Sequence, residues 1–134
     1  MKPTHFEILP LQTDEDLVRV RQKLRARMVE LGFTLVEQTK MVTAASELGR
    51  NALLYGGGGT ARLESMEDSN RLGFRMTIED QGAGIADIEQ AMTDGYTSGS
   101  GLGLGLGGSK RLVKEFELWS EPGLGTRVTI ALWK

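Results

Sequence analysis

The chain has 134 residues, 16 basic and 18 acidic side chains, a net charge of −2, one histidine and no cysteine. That length suits one domain around a single core, and the missing cysteine excludes disulfides, thiolate metal sites and a cysteine nucleophile. The near-neutral balance gives no electrostatic support to nucleic-acid binding, and His5 alone cannot build a triad or a histidine-rich metal cluster.

Phe6, Ile8 and the Leu9–Leu11 region predict a short opening strand that ends at Pro10, a residue tolerated at strand ends, with His5 as strand filler. Thr13 and Asp16 resemble a capping box. Leu17, Val20, Leu24, Met28 and Leu31 then recur at intervals of three and four, the apolar stripe of a helix closing at Gly32. Arg19, Arg21, Lys23, Arg25 and Arg27 are spaced by two, which spreads them around that helix as a solvated face. A second helix is expected from Thr34 to about Tyr55, where Gly56–Gly59 stop it. Met41, Ala45, Leu48 and Ala52 form its buried side, and Thr43, Glu47, Arg50 and Asn51 lie on the other side.

Two strands follow, Thr60–Met66 and one in which Leu72, Phe74, Met76 and Ile78 alternate with polar residues, joined by a turn at Asp68, Ser69 and Asn70. Asp80 to Ile85 reads as a glycine turn into a short helix through Met92. A glycine-rich loop then feeds a further helix ending near Phe116. Two strands close the chain, the last carrying Val128, Ile130 and Leu132 after a hairpin turn at Pro122–Gly125. The order β-α-α-β-β-α-α-β-β predicts an α+β two-layer sandwich, with residues 1–134 as a single domain. No window approaches the ~18 apolar residues of a membrane span, so a soluble, cytoplasmic protein is expected.

Three stretches can carry chemistry. Glu47 and Asn51, four apart, are neighbours on one helix. Asparagine can give a neutral oxygen to a magnesium ion that keeps its waters and phosphate ligands, and glutamate can hold a water or a hydroxyl; a solvated surface pair is the alternative. Asp80-Gln-Gly-Ala-Gly-Ile85, at a strand end, offers a carboxylate to an exocyclic amine, and its glycines let a flat ring or a phosphate approach the backbone. An ordinary Asp-Gly turn competes with that reading. In SGSGLGLGLGGSK, Ser98 to Lys110, the glycine density implies positive φ or a ligand lying against bare backbone. Lys110, at what reads as a helix start, would add a cation to the amides and dipole there, as phosphate requires. The alternative is a flexible linker, although linkers place serine rather than leucine between their glycines.

In one order within a short span, a helical E-x-x-x-N, a strand-end D-x-G-x-G-I and a G-x-G-x-G loop resemble the N, G1 and G2 boxes of the GHKL (Bergerat) ATP-binding fold of gyrase, histidine kinases and MutL. Within it, ASELGRNALLYGGGG and the stretch from Glu79 to Thr126 are most similar to the small RsbT-type switch serine/threonine kinases. The resemblance implies a mixed, mainly antiparallel sheet covered by helices on one face, and use of ATP with Mg2+. It implies Asn51 on magnesium, Glu47 as the catalytic base, Asp80 on the adenine amine, and Gly82 and Gly84 lining the adenine pocket. Gly101, Gly103 and Gly105 would form the phosphate lid, with Lys110 beside it, and the Thr126 hydroxyl would support the adenine. Ala83 and Gly107 stand where such chains usually carry proline. The implied function is a serine/threonine protein kinase that phosphorylates a STAS-domain antagonist in a bacterial partner-switching stress or sigma-factor pathway and, when free, activates a PP2C-type phosphatase. The alternative is a SpoIIAB/RsbW-type anti-sigma factor kinase that binds a sigma factor directly.

Overall fold

The computed structural model describes residues 2–85, 92 and 105–134. Among them the chain forms β1 (Lys2–Leu11), α1 (Asp14–Leu31), α2 (Leu35–Tyr55), β2 (Gly59–Asp68), β3 (Arg71–Asp80), α3 (Gly105–Leu112), β4 (Glu115–Glu121) and β5 (Gly125–Trp133). The five strands make one sheet in the order β1-β2-β3-β5-β4. Every neighbouring pair is antiparallel. This is the expected α+β sandwich, and the mixed pairing implied by the resemblance is absent among the described strands.

The two long helices end where local chemistry ends them. Thr13 caps α1 by accepting from Asp16 N at 3.1 Å, and Gly32, at φ 84°, turns the chain out of it. Only two residues later Thr34 and Glu37 form a reciprocal capping box, Glu37 N to Thr34 Oγ1 at 3.1 Å and Thr34 N to Glu37 Oε1 at 2.9 Å. α1 and α2 thus become an antiparallel hairpin on one face of the sheet. Their inner residues meet Leu63, Phe74, Met76, Ile130 and Leu132 in one core.

The opposite sheet face has no helix among the described residues. It carries Phe6 and Ile8, which are 52% and 55% exposed. The sequence marks these two as the strand's signature, but in β1 the residues turned toward the helices are Leu9 and Leu11. Phe6 instead lies under the Arg62 guanidinium at 4.3 Å. β1 is an edge strand, so its Pro10 leaves no central ladder bond unmade. On the same outer face Glu64 is buried beneath a two-bond fork from Arg75, at 2.9 and 3.1 Å. A carboxylate on the outer face explains the weak alternation of β2: both of its sides are covered.

The short helix expected through Met92 lies outside the described residues, apart from Met92 itself, which packs against the core. The helix expected to end near Phe116 stops at Leu112. Lys114 N donates to Ala131 O at 3.1 Å, and the chain enters β4, where Phe116 and Leu118 point inward at a period of two.

Candidate functional site

The site is assembled from α2 and from the β3 and β5 ends nearest its C-terminus. α2 packs against α1, α3 and the sheet, and its residues from Ala44 to Gly49 are all buried. Glu47 is therefore not on a solvated side, as an amphipathic reading makes it, but is 2% exposed. A buried carboxylate must be paired to remain charged, and Arg50, one turn on, donates Nη1–H to Glu47 Oε1 at 3.0 Å. Asn51 follows, half-buried, one turn beyond Glu47 and one turn before the helix ends at Tyr55.

At the end of β3, Asp80 is buried, and its Oδ1 accepts from Gly82 N at 2.9 Å. The carboxylate lies directly against the C-terminus of α2: a Cβ on Gly56 would fall 2.3 Å from Asp80 Cγ, and one on Gly82 would fall 2.5 Å from Gly56 Cα. Helix end and turn meet backbone to backbone, which only glycine permits. The turn is clamped from its other side by the β4–β5 hairpin. Gly84, at φ 80°, lies so close to Glu121 O that a Cβ there would be 2.3 Å away, and Gly123 N donates to Ala83 O at 2.7 Å.

The Thr126 hydroxyl lies on the same side of the sheet as Asp80, its register partner. It contacts Ser120 Oγ at 2.9 Å. Ser120 also accepts from Ile85 N at 2.7 Å and donates to Gly125 O at 3.0 Å, so one hydroxyl joins the glycine turn, β4 and β5. Sequence reasoning passed over Ser120. Its signal is a polar residue in the inward row that Phe116 and Leu118 begin, at a position where a strand over a core would otherwise place an apolar side chain.

The structure thus brings Asp80, Gly82, Gly84 and Thr126 together beside the helix that carries Glu47 and Asn51. Gly101 and Gly103 lie outside the described residues, and Gly105 is the first residue of α3. Lys110 is not at a helix start: it is exposed in the last turn of α3. A cation suits that negative end of the helix dipole, but the dipole's positive end and this lysine are then at opposite ends of the helix and do not converge on one spot. Among the described residues no three His, Asp or Glu side chains gather into a metal-ligating group. What the arrangement offers is an oriented carboxylate, two hydroxyls and bare glycine backbone at one end, and a paired glutamate with a carboxamide further along the helix. An oriented carboxylate with hydroxyls beside it can accept from a flat amine-bearing ring.

Residues 36–134 match the family described as Histidine kinase-, DNA gyrase B-, and HSP90-like ATPase. The chain belongs to this ATPase family. It is 44% identical over 123 residues to the serine/threonine-protein kinase RsbT of Bacillus subtilis, covering 92% of each chain. An anti-sigma F factor of Clostridium beijerinckii is 32% identical, over 97% of this chain and 94% of the relative. One from Halalkalibacterium halodurans is 31% identical, over 81% and 77%. Among solved structures, the RsbU and RsbW domains of a Mycobacterium tuberculosis protein superpose with a TM-score of 0.64 at 21% identity, covering 97% of this chain and 32% of that one. At that identity the likeness is one of fold, and the fold is the GHKL sandwich described above. No helix among the described residues is long and apolar enough to cross a membrane.

Proposed function

We propose that this chain, an ATP-dependent serine/threonine-protein kinase by its family and its 44% identical relative, phosphorylates a STAS-domain antagonist protein in a bacterial partner-switching pathway. When free it activates a PP2C-type phosphatase. Its place of work is the cytoplasm, and residues 1–134 act as one kinase domain. The observation that carries this reading is the Asp80 carboxylate, buried and fixed by Gly82 N at 2.9 Å, at the sheet end beside an E-x-x-x-N helix.

The fit to a nucleotide rests on that donor set. Asp80 has its Oδ1 held, so the carboxylate is oriented to accept from an adenine amine, with Thr126 and Ser120 beside it as hydroxyls. Gly56 lets the helix end sit against that carboxylate, and Gly82 and Gly84 let the turn pack against the helix end and the β4–β5 hairpin. Asn51 Oδ1 would hold magnesium, which asks little of the protein because it keeps its waters and phosphate ligands. Bound Mg-ATP would supply the phosphoryl group and neutralise the charge developing on its oxygens. Glu47 acts as base, a carboxylate oxygen taking the proton of the substrate hydroxyl, in a water-poor setting that its burial provides. Gly101, Gly103 and Gly105 would form the phosphate lid.

The 31–32% identical anti-sigma F factors favour a second reading, a SpoIIAB/RsbW-type kinase that binds a sigma factor. Incubation with labelled ATP, magnesium and candidate STAS-domain proteins tests the first. Phosphate on serine or threonine of a STAS-domain protein supports it. Capture of a sigma factor by the chain favours the second, whichever protein carries phosphate.

A further inference from the structure

We infer that Arg50 helps to position the catalytic carboxylate, an assignment that rests on Glu47 being the base. Glu47 is 2% exposed, so its carboxylate has lost almost all contact with bulk water. Its terminal torsion is intrinsically broad, and a buried base that rotates freely is badly aimed. Arg50 supplies a constraint: at i+3 it is on the neighbouring turn, its Nη1 is 3.0 Å from Glu47 Oε1, and its side chain is 29% exposed. The cation therefore keeps a wet side while its N–H reaches a dry carboxylate. Fixing Oε1 also decides where Oε2 lies, and so the direction from which a hydroxyl can be deprotonated.

The residue type fits this task. A guanidinium stays charged at any working pH and donates along a fixed planar direction, whereas an ammonium is a rotating point charge. Arg50 also differs from the other arginines near the helix pair. Arg21 and Arg25 donate to the neutral groups Ser46 Oγ and Gln38 Oε1, and Arg27 pairs with Glu7 and Glu30. Arg50 is spent on a carboxylate of the proposed site. It acts through Glu47, and the reading requires no contact between Arg50 and the nucleotide.

The test uses Arg50→Met, which keeps the stem and removes the cation, Arg50→Lys, which keeps the cation, and Glu47→Gln. Three quantities are measured: the rate of phosphate transfer at saturating ATP, the affinity for a non-hydrolysable ATP analogue, and the carbon-13 resonance of the Glu47 carboxylate in nucleotide-free protein, assigned by its loss in Glu47→Gln. Arg50→Met should lower the transfer rate about 10- to 100-fold, leave analogue affinity within about twofold, and move the Glu47 resonance. Arg50→Lys should recover much of the rate. If Arg50→Met loses affinity at an unchanged rate, Arg50 is a phosphate ligand and the assignment fails. An unchanged rate and resonance overturn it as well. Should Glu47→Gln itself transfer phosphate at the wild-type rate, the base assignment falls and this inference with it; an inactive Glu47→Gln beside a fully active Arg50→Met refutes the inference alone.

Discussion

Gly56→Ala places one methyl group in the closest contact of the candidate site. Its carbon would lie 2.3 Å from Asp80 Cγ and 2.5 Å from Oδ2, against about 3.5–4.0 Å for an unstrained contact. The carboxyl group must therefore withdraw by about 1 Å, because the alternative is to move the helix end, whose other neighbour is the Gly82 backbone. That withdrawal stretches the 2.9 Å bond from Gly82 N past the hydrogen-bonding limit. A bond to a charged acceptor contributes about 1.5–3 kcal/mol, and each 1.4 kcal/mol is about tenfold in affinity. Since the same displacement takes the carboxylate from where an adenine amine would meet it, ATP affinity should fall about 10- to 100-fold. Stability should fall too, by about the 1.5–3 kcal/mol of the lost internal bond, with no backbone strain added, because Gly56 sits at φ −100° and ψ −5°, a conformation alanine adopts. Calorimetry with an ATP analogue, alongside thermal unfolding, separates the two. Affinity within about twofold of wild type would show that Asp80 is not held by this contact and would refute the reasoning.

Asp80→Asn should weaken ATP binding by about 1–3 kcal/mol, because an amide can turn a donor toward the amine; equal wild-type affinity for ATP and GTP, measured by calorimetry, would remove that role. Asn51→Ala should abolish magnesium-dependent nucleotide binding, while Glu47→Ala should keep ATP and lose transfer, toward the lower end of the roughly 10²- to 10⁴-fold that a general base contributes. Nucleotide titrations and transfer rates on both variants check this, and a Glu47→Ala enzyme at full rate would sink it. Burial pushes the Glu64 carboxyl up, but the Arg75 fork and the charges of Arg75 and Arg62 outweigh it and hold the group below its ordinary value. The stability this contributes is present above the unfolded value, about 4.3, and is lost as pH falls through the lower folded value. Melting temperatures across about pH 5 to pH 2 should fall less steeply in Glu64→Gln than in wild type, and parallel curves would refute the coupling.

What the sequence made legible was whatever is encoded by neighbours in the chain. Thr13 with Gly32, and Thr34 with Glu37, bound the two long helices because caps are local chemistry. The strict alternation from Leu72 to Ile78 marked β3. Legibility failed where a distant segment decides. Glu47 is buried because α2 is packed on three sides, and a helix read for one apolar stripe assumes one covering layer. Phe6 and Ile8 mark the first strand, but nothing local tells which face they take, and it is the outer one, where Arg62 covers Phe6. Leu112, Val113 and Phe116 have helical spacing, and it is the bond from Lys114 to Ala131 that turns that stretch into a strand. The site followed the same rule. Asp80 and its glycines were readable as a turn, but Gly56 and Ser120, which hold that turn from the helix and from β4, act across long separations that no local pattern records.

The strand order has a consequence for when the molecule becomes complete. β5 follows β4 in the chain yet lies inside it, between β3 and β4, so β4 has no other ladder to join. The β4–β5 hairpin joins the sheet through β5 alone, across the long sequence gap between β3 and β5, so its docking carries a loop-closure entropy cost. Until it docks, nothing stands behind Ala83 and Gly84, and Thr126 is not beside Asp80. The end of the site proposed to meet adenine is thus built from both halves of the sheet, and the E-x-x-x-N helix alone, without the β4–β5 hairpin, would leave it unformed.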